Sequence, residues 1–223
     1  MTSVRRAPST RLAVIGADDP LGEAVVREAL VRGIAVTATA PDPSRVARVT
    51  ADLAIRPARE RSEEDLREAV SGADAVVLGI GTRLSSPPTM IRTDTAVALV
   101  RAMRALGLPR LVAASHVDLA GPARAPRAVR TALAPLRTAL HQGSMADMRR
   151  MEHLLDSSGL ATTVLRAGRL TDLLGSKAYR LVAPEEAVAA PLPLEDLARA
   201  LVDQALEASS ARPVYAVVPA RPD

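Results

Sequence analysis

Leu12-Ala13-Val14-Ile15-Gly16-Ala17-Asp18-Asp19-Pro20-Leu21-Gly22 is the stretch whose reading decides the fold. A short apolar run ends in a turn of Gly, Asp and Pro. A helical pattern then starts at Leu21 and continues through Val25, Val26, Ala29 and Leu30. Strand, tight turn and helix in that order open a βαβ unit of the dinucleotide-binding kind, whose glycines let the backbone approach a pyrophosphate at the helix N-terminus. In a Gly-x-x-Gly-x-x-Gly turn the middle glycine makes that approach, and here the position is Asp19.

Outward from this unit, apolar runs alternate with helical patterns. Strands are predicted at Arg11–Ile15, Ile34–Ala40, Asp74–Gly79, Arg110–Ser115, Ala161–Arg166 and Pro213–Val218, and Ala51-Asp52-Leu53 reads as a short third strand or its end. Helices are predicted at Gly22–Arg32, Ser62–Val70, Thr93–Leu106, Asp147–Ser157 and Leu194–Leu206, with a short one over Ser44–Val49. Gly33 and Gly107 are placed to end the first and third long helices in a left-handed conformation. Such alternation implies an α/β fold: a doubly wound, Rossmann-like parallel sheet with right-handed crossovers, in one domain over residues 11–223. The last fifty or so residues are expected to add a small C-terminal lobe, and residues 1–10 to form a disordered tail.

Composition narrows the function. With 223 residues there is room for one domain with a substantial core. Phe and Trp are absent and Tyr occurs twice, so that core is built from Leu, Val, Ala, Ile and Met. Without Cys there is no disulfide, thiolate nucleophile or thiolate metal site, and the three His have no metal-ligand spacing, so no metal is expected. Nothing resembles a secretory signal or a membrane span, and a cytoplasmic protein without a membrane partner is expected. The net charge of +4 favours an anionic small molecule without indicating nucleic acid. Oligomeric state is not legible.

The ordered segments resemble an atypical short-chain dehydrogenase/reductase, of the small NAD(P)H-binding group that includes biliverdin-IXβ/flavin reductases and NmrA-like proteins. Val14–Gly22 resembles that family's V-x-G-A-T-G-x-x-G turn, Ala51-Asp52-Leu53 its G-D-[LV] segment, and Asp74–Gly81 its strand beside the cofactor ribose. Arg110–Ser115 resembles the strand ending at a catalytic or substrate-contacting serine. Met151–Leu160 with Val164–Leu170 resembles its M/E-x-x-L-x-x-S-G-L and R-P-G-x-L pair. The resemblance implies cofactor contacts at Gly16, Asp18, Pro20, Leu21, Gly22, Asp42, Arg45, Asp52, Leu53, Gly79, Ile80, Gly81, Arg166 and Gly168, with NADP or NAD as cofactor. It implies an oxidoreductase acting on a small conjugated or aromatic metabolite.

Three departures work against this. Asp18 and Asp19 put carboxylates beside a pyrophosphate; at 4 Å each unit-charge pair costs about 1 kcal/mol in water and about 4 at a near-surface dielectric, against about 0.3–1 kcal/mol from the helix N-terminus. Asp19 either turns outward or fills the hollow, with Asp18 as the candidate helix cap. Pro41 stands where relatives carry an Arg for a 2′-phosphate; either Arg45 replaces it or Asp42 bonds a ribose hydroxyl and favours NAD(H). Finally, no Tyr-x-x-x-Lys pair exists, and the aligned places hold Ser144 and Met148. A divergent non-redox enzyme (cyclase, dehydratase or isomerase) or an NmrA-like regulator is therefore the alternative.

For chemistry, Ser115 and His116 are the best-placed pair, at the carboxyl end of a central strand; the plainer reading is a backbone-bonded serine beside a solvated histidine. His153 reads as a surface residue, and His141 as one more often solvated than functional. Arg124, Arg127, Arg130 and Arg137 form an acid-free basic stretch, either a lid that attracts an anionic substrate or a solvated helix face. Met148 and Met151 read as core, and one of Arg166 and Arg169 as a partner of Asp172.

Overall fold

Leu12, Ala13, Val14 and Ile15 are all fully buried, which is what a strand flanked by helices on both faces requires. The structure, a computed structural model, describes residues 10–46, 51–59, 61–80, 89–116, 143–176, 178–187, 190–207 and 213–220. The expected N-terminal tail, Gly81, most of the Arg83–Thr89 loop, the basic stretch with Arg124 to Arg137, and His141 lie outside these residues.

The elements, in chain order, are β1 (Arg11–Ile15), α1 (Pro20–Val31), β2 (Ala35–Ala40), β3 (Leu53–Pro57), α2 (Glu63–Val70), β4 (Ala75–Leu78), α3 (Ile91–Leu106) and β5 (Arg110–His116). There follow α4 (143–156), β6 (Ala161–Ala167), β7 (Leu170–Thr171), β8 (Tyr179–Val182), β9 (Leu192–Pro193), α5 (Leu194–Leu206) and β10 (Val214–Pro219). The eight-stranded sheet has the order β3-β2-β1-β4-β5-β6-β10-β8. All pairs are parallel except β10 with β8. Strand order reverses between β1 and β4, and the carboxyl edge at such a switch point is where open α/β sheets bind ligands.

Successive side chains point to opposite faces. Leu12, Val14, Val112, Leu165 and Val217 meet α1 and α5 on one side. Ala13, Ile15, Leu78, Leu111, Ala113 and Val164 meet α2, α3 and α4 on the other. Met148 and Met151 are core, as expected. The C-terminal lobe takes a modest form. Among the described residues only the two-residue strands β7 and β9 pair apart, while β8, α5 and β10 complete the main sheet and its cover.

Two segments differ from expectation. The helix over Ser44–Val49 is, in its described part, a 3-10 turn at Pro43–Arg45, with Asp42 accepting from Ser44 N (3.0 Å). Ala51-Asp52-Leu53 is the approach to β3, not its end, because Leu53 pairs with Val36 at the start of β2.

Helix α2 begins on a tight cap. Ser62 Oγ accepts from Asp65 N (3.2 Å), and Asp65 accepts from Arg59 N and Nε (both 3.0 Å). The Arg59 side chain, then its backbone amide, then Ser62 hold the Asp65 carboxyl down at about 2, below its ordinary 3.8. A depressed carboxyl contributes stability that is present above its unfolded value and lost as pH falls through the folded one. Stability should therefore decline between pH 3.8 and about 2. In Asp65→Asn this part of the decline should vanish, measured by urea unfolding across that window; an unchanged pH slope refutes the assignment.

Candidate functional site

At the end of β1 three backbone segments press together. A Cβ on Gly22 would lie 2.0 Å from Gly16 O, and one on Gly79 3.0 Å from Gly22 Cα. Gly16 has φ +85, and a Cβ there would lie 2.4 Å from Ile80 Cγ1. Gly16 N and Ala17 N both donate to Thr39 O (3.1 and 2.8 Å), and Gly79 N donates to Ile15 O (3.0 Å). The glycines expected at the cofactor thus form one cradle at the switch point between β1 and β4, with no room for side chains between its walls.

The cap on α1 corrects an expectation. Asp19, not Asp18, is the N-cap: its carboxylate accepts from Leu21 N (3.1 Å) on an extended backbone. Pro20 occupies the first helical position, where its missing N–H leaves no donor wanting. Asp19 is half-buried, neither turned out into solvent nor buried in the turn. The glycine cradle fits a dinucleotide; the carboxylates of Asp18 and Asp19, both half-buried in the turn, are the groups there whose charge opposes it.

Toward the adenosine end the expected residues separate. Asp42 lies just beyond β2, on the correct edge, with one oxygen bonded by Ser44 N and Oγ (3.0 and 2.6 Å). Pro41 is exposed beside it, and the Arg45 side chain lies outside what is described. Asp52 and Leu53 are corrected: they stand at the amino end of β3, paired at the level of Val36, whereas Gly16 follows Ile15, which is level with Thr39. At about 3.3 Å per residue, that is on the order of 10 Å from the cleft edge. Ala58, buried and bonded to Ala40 O (3.1 Å), holds the place expected of the acid.

On the other side of β4, Ser115 points to the α3–α4 face, as Leu111 and Ala113 do. It is 7% exposed, and its Oγ has no hydrogen-bond partner among the described residues. His116 is half-buried at the strand's end. Ser115 is level with Arg166 on β6. Arg166 donates from Nε and Nη2 to Glu152 (3.1 and 2.5 Å), so its partner is Glu152 and not Asp172. Gly168 has a structural reason of its own, since a Cβ there would lie 2.9 Å from Ala190 O. Ser144 and Met148, in the places of the missing phenol and amine, are both buried, and His153 is exposed as expected.

Sequence reasoning missed Arg92, Thr93 and Asp147. Asp147 is wholly buried and accepts from Arg92 N (3.1 Å), Thr93 N (3.0 Å) and Thr93 Oγ1 (2.6 Å), capping α3 from α4. Arg92 Nη1 lies 3.5 Å from the same carboxylate. The one available signal was an arginine on the apolar side of a helix start.

A profile of the NAD(P)H-binding family matches residues 16–208. The chain belongs to that family. Its cofactor is accordingly NAD or NADP. Solved structures similar to this NAD(P)H-binding chain share the fold at low identity. An oxidoreductase from Lactococcus lactis superposes with a TM-score of 0.77 at 15% identity, covering 95% of this chain and 91% of that one. A short-chain dehydrogenase/reductase from Veillonella parvula, solved in complex with NADP, gives 0.75 at 18% over 93% and 94%. A Rossmann-fold NAD(P)-binding family protein from Shigella flexneri gives 0.69 at 17% over 96% and 95%. Among the described residues no helix is long and apolar enough to cross a membrane.

Proposed function

We propose that the protein is an NAD(P)H-dependent oxidoreductase of the atypical short-chain type, acting on a small conjugated or aromatic metabolite. The Ser115 hydroxyl carries this reading. It is buried at the carboxyl end of a central strand and has no partner among the described residues. A buried hydroxyl left so forfeits about 1–3 kcal/mol, which a substrate oxygen restores.

A bound nicotinamide supplies or accepts the hydride. Ser115 donates to the substrate oxygen and orients it. His116, the next residue of the same strand, points to the opposite face of the sheet, so the proton is drawn from solvent rather than from a phenol. The Arg166–Glu152 pair stands beside Ser115, since Arg166 is level with that residue on the neighbouring strand. NADPH and NADH oxidation, followed by absorbance against quinones, flavins, tetrapyrroles and aryl ketones, tests the reading. Ser115→Ala should lower kcat about 100-fold, with a smaller change in KM. Turnover unaffected by the substitution would remove Ser115 from the chemistry.

A second reading, a non-redox enzyme using the same cleft, is favoured by Ser144 and Met148 in place of a phenol and an amine. Turnover that consumes no nicotinamide supports it, and strict stoichiometric consumption excludes it. Nucleotide binding with no turnover of any kind would favour an NmrA-like regulator.

A further inference from the structure

The carboxyl edge of the sheet continues past the glycine cradle to a clamped arginine. Gly16 N and Ala17 N donate to Thr39 O, and the next residue of β2, Ala40, accepts from Ala58 N (3.1 Å) just past the end of β3. Arg59 follows Ala58. It therefore stands two strands along from the cradle on the same edge, about 10 Å away at the usual strand spacing. This is the Asp42 side, where the adenosine half of a dinucleotide lies when its pyrophosphate is at the first turn.

The Arg59 side chain is held as a plane. Nε donates to Asp65 Oδ2 (3.0 Å) and Nη2 to Asp65 Oδ1 (3.5 Å), a fork on one carboxylate in the first turn of α2. The backbone is fixed as well: Arg59 N donates to Asp65 Oδ2 (3.0 Å), and Arg59 O accepts from Ser62 N (2.9 Å). Asp65 thus occupies the edge of the guanidinium, yet the side chain is 82% exposed, which leaves its faces to solvent. A flat, fixed cation with an open face is a surface on which a base stacks. The residue before it, Ala58, is buried, and its side chain offers no group that could read the base's exocyclic substituent.

We propose that Arg59, clamped flat by Asp65, is the platform on which the cofactor's adenine stacks, so that the base is held by its π face rather than read along its edge. The inference rests on the nicotinamide reading above and adds to it a base-tolerant adenosine site. A dinucleotide whose adenine is replaced by hypoxanthine binds such a site as well as NADH does, because every base has a face to stack.

Wild type, Arg59→Ala and Arg59→Lys are titrated by calorimetry with NADH, NADPH and reduced nicotinamide hypoxanthine dinucleotide. Each is also melted without nucleotide, so that lost stability is read apart from lost affinity. Wild type should bind NADH and the hypoxanthine analogue about equally. Arg59→Ala should weaken all three nucleotides about fivefold. Arg59→Lys keeps the charge but not the plane, and should lie close to Arg59→Ala. If Arg59→Ala does not fold, Arg59→Lys carries the measurement. Unchanged affinities in the variants beside a wild type that binds overturn the inference and leave the nicotinamide reading standing. So does full rescue by lysine, which would make Arg59 a point charge, and so does a loss confined to NADPH, which would assign it to the 2′-phosphate. A marked preference of wild type for NADH over the analogue overturns it too, because the base's edge would then be read. A wild type that binds none of the three overturns the nicotinamide reading, and the inference with it.

Discussion

Gly22→Ala is expected to lower Tm by roughly 6–12 °C and to abolish measurable binding of NADH and NADPH. The added methyl would lie 2.0 Å from Gly16 O and 2.7 Å from Gly16 C, both backbone atoms of the preceding turn. No rotamer relieves such a contact, so either α1 or the turn must move. Gly79 limits that movement, since the wall of β4 already stands against Gly22 Cα. Overpacking typically costs about 1–3 kcal/mol, and a backbone obstacle belongs at the upper end. A shift on the order of 1 Å at a site that positions a ligand is worth about 100-fold. Thermal melting and calorimetry with both nucleotides measure the two effects. An alanine variant that melts and binds like wild type would show that the cradle is not the nucleotide site.

Arg110→Met is expected to destabilise the fold by about 3 kcal/mol while leaving the cleft's chemistry in place. Arg110 is buried at the start of β5, at the end of the sheet away from Ser115. Its Nε and Nη2 donate to Gln204 O (3.2 and 2.5 Å), and Nη1 donates to Thr163 Oγ1 (2.9 Å) and Ala161 O (3.3 Å). Gln204 O belongs to the last turn of α5, where carbonyls have no partner within the helix. One guanidinium therefore joins β5, β6 and the end of α5. Burial pulls its pKa below the ordinary value, with the charge of Glu207 acting the other way. Methionine keeps the stem's packing and withdraws the guanidinium's donors from the three acceptors, at about 1–3 kcal/mol for each buried one that nothing else meets. Chemical denaturation should show a lower midpoint with an unchanged slope. A loss below about 0.5 kcal/mol, the ordinary range of surface changes, would mean that solvent takes over these carbonyls.

These two residues also show how differently parts of the chain could be read in advance. Gly22 stands in a local motif, eleven residues in which strand, turn and helix follow from apolar period, Pro and Gly. The same local physics made β1, β2, β4, β5, β6, β10 and the five described α-helices legible, because each buries a face through neighbours only two to four residues away. Arg110 also stood in a motif, but its partners lie 51 to 94 residues on. Asp52 illustrates the converse error: the segment looked like a strand's end, and only its pairing with Val36 puts it at the beginning. The two-residue strands β7 and β9 have no period to detect.

From the sequence alone came the α/β class, the switch-point cradle of Gly16, Gly22 and Gly79, and Ser115 at a carboxyl strand end, since these depend on local pattern and on the order of elements. Only the tertiary structure decided that Asp19 rather than Asp18 caps α1, that Arg166 answers Glu152, and that Asp147 and Arg92, 55 residues apart, meet at the start of α3. The reason is physical. A side chain's period shows which face it occupies, whereas the partner of a buried charge is set by helices that approach each other across the sheet.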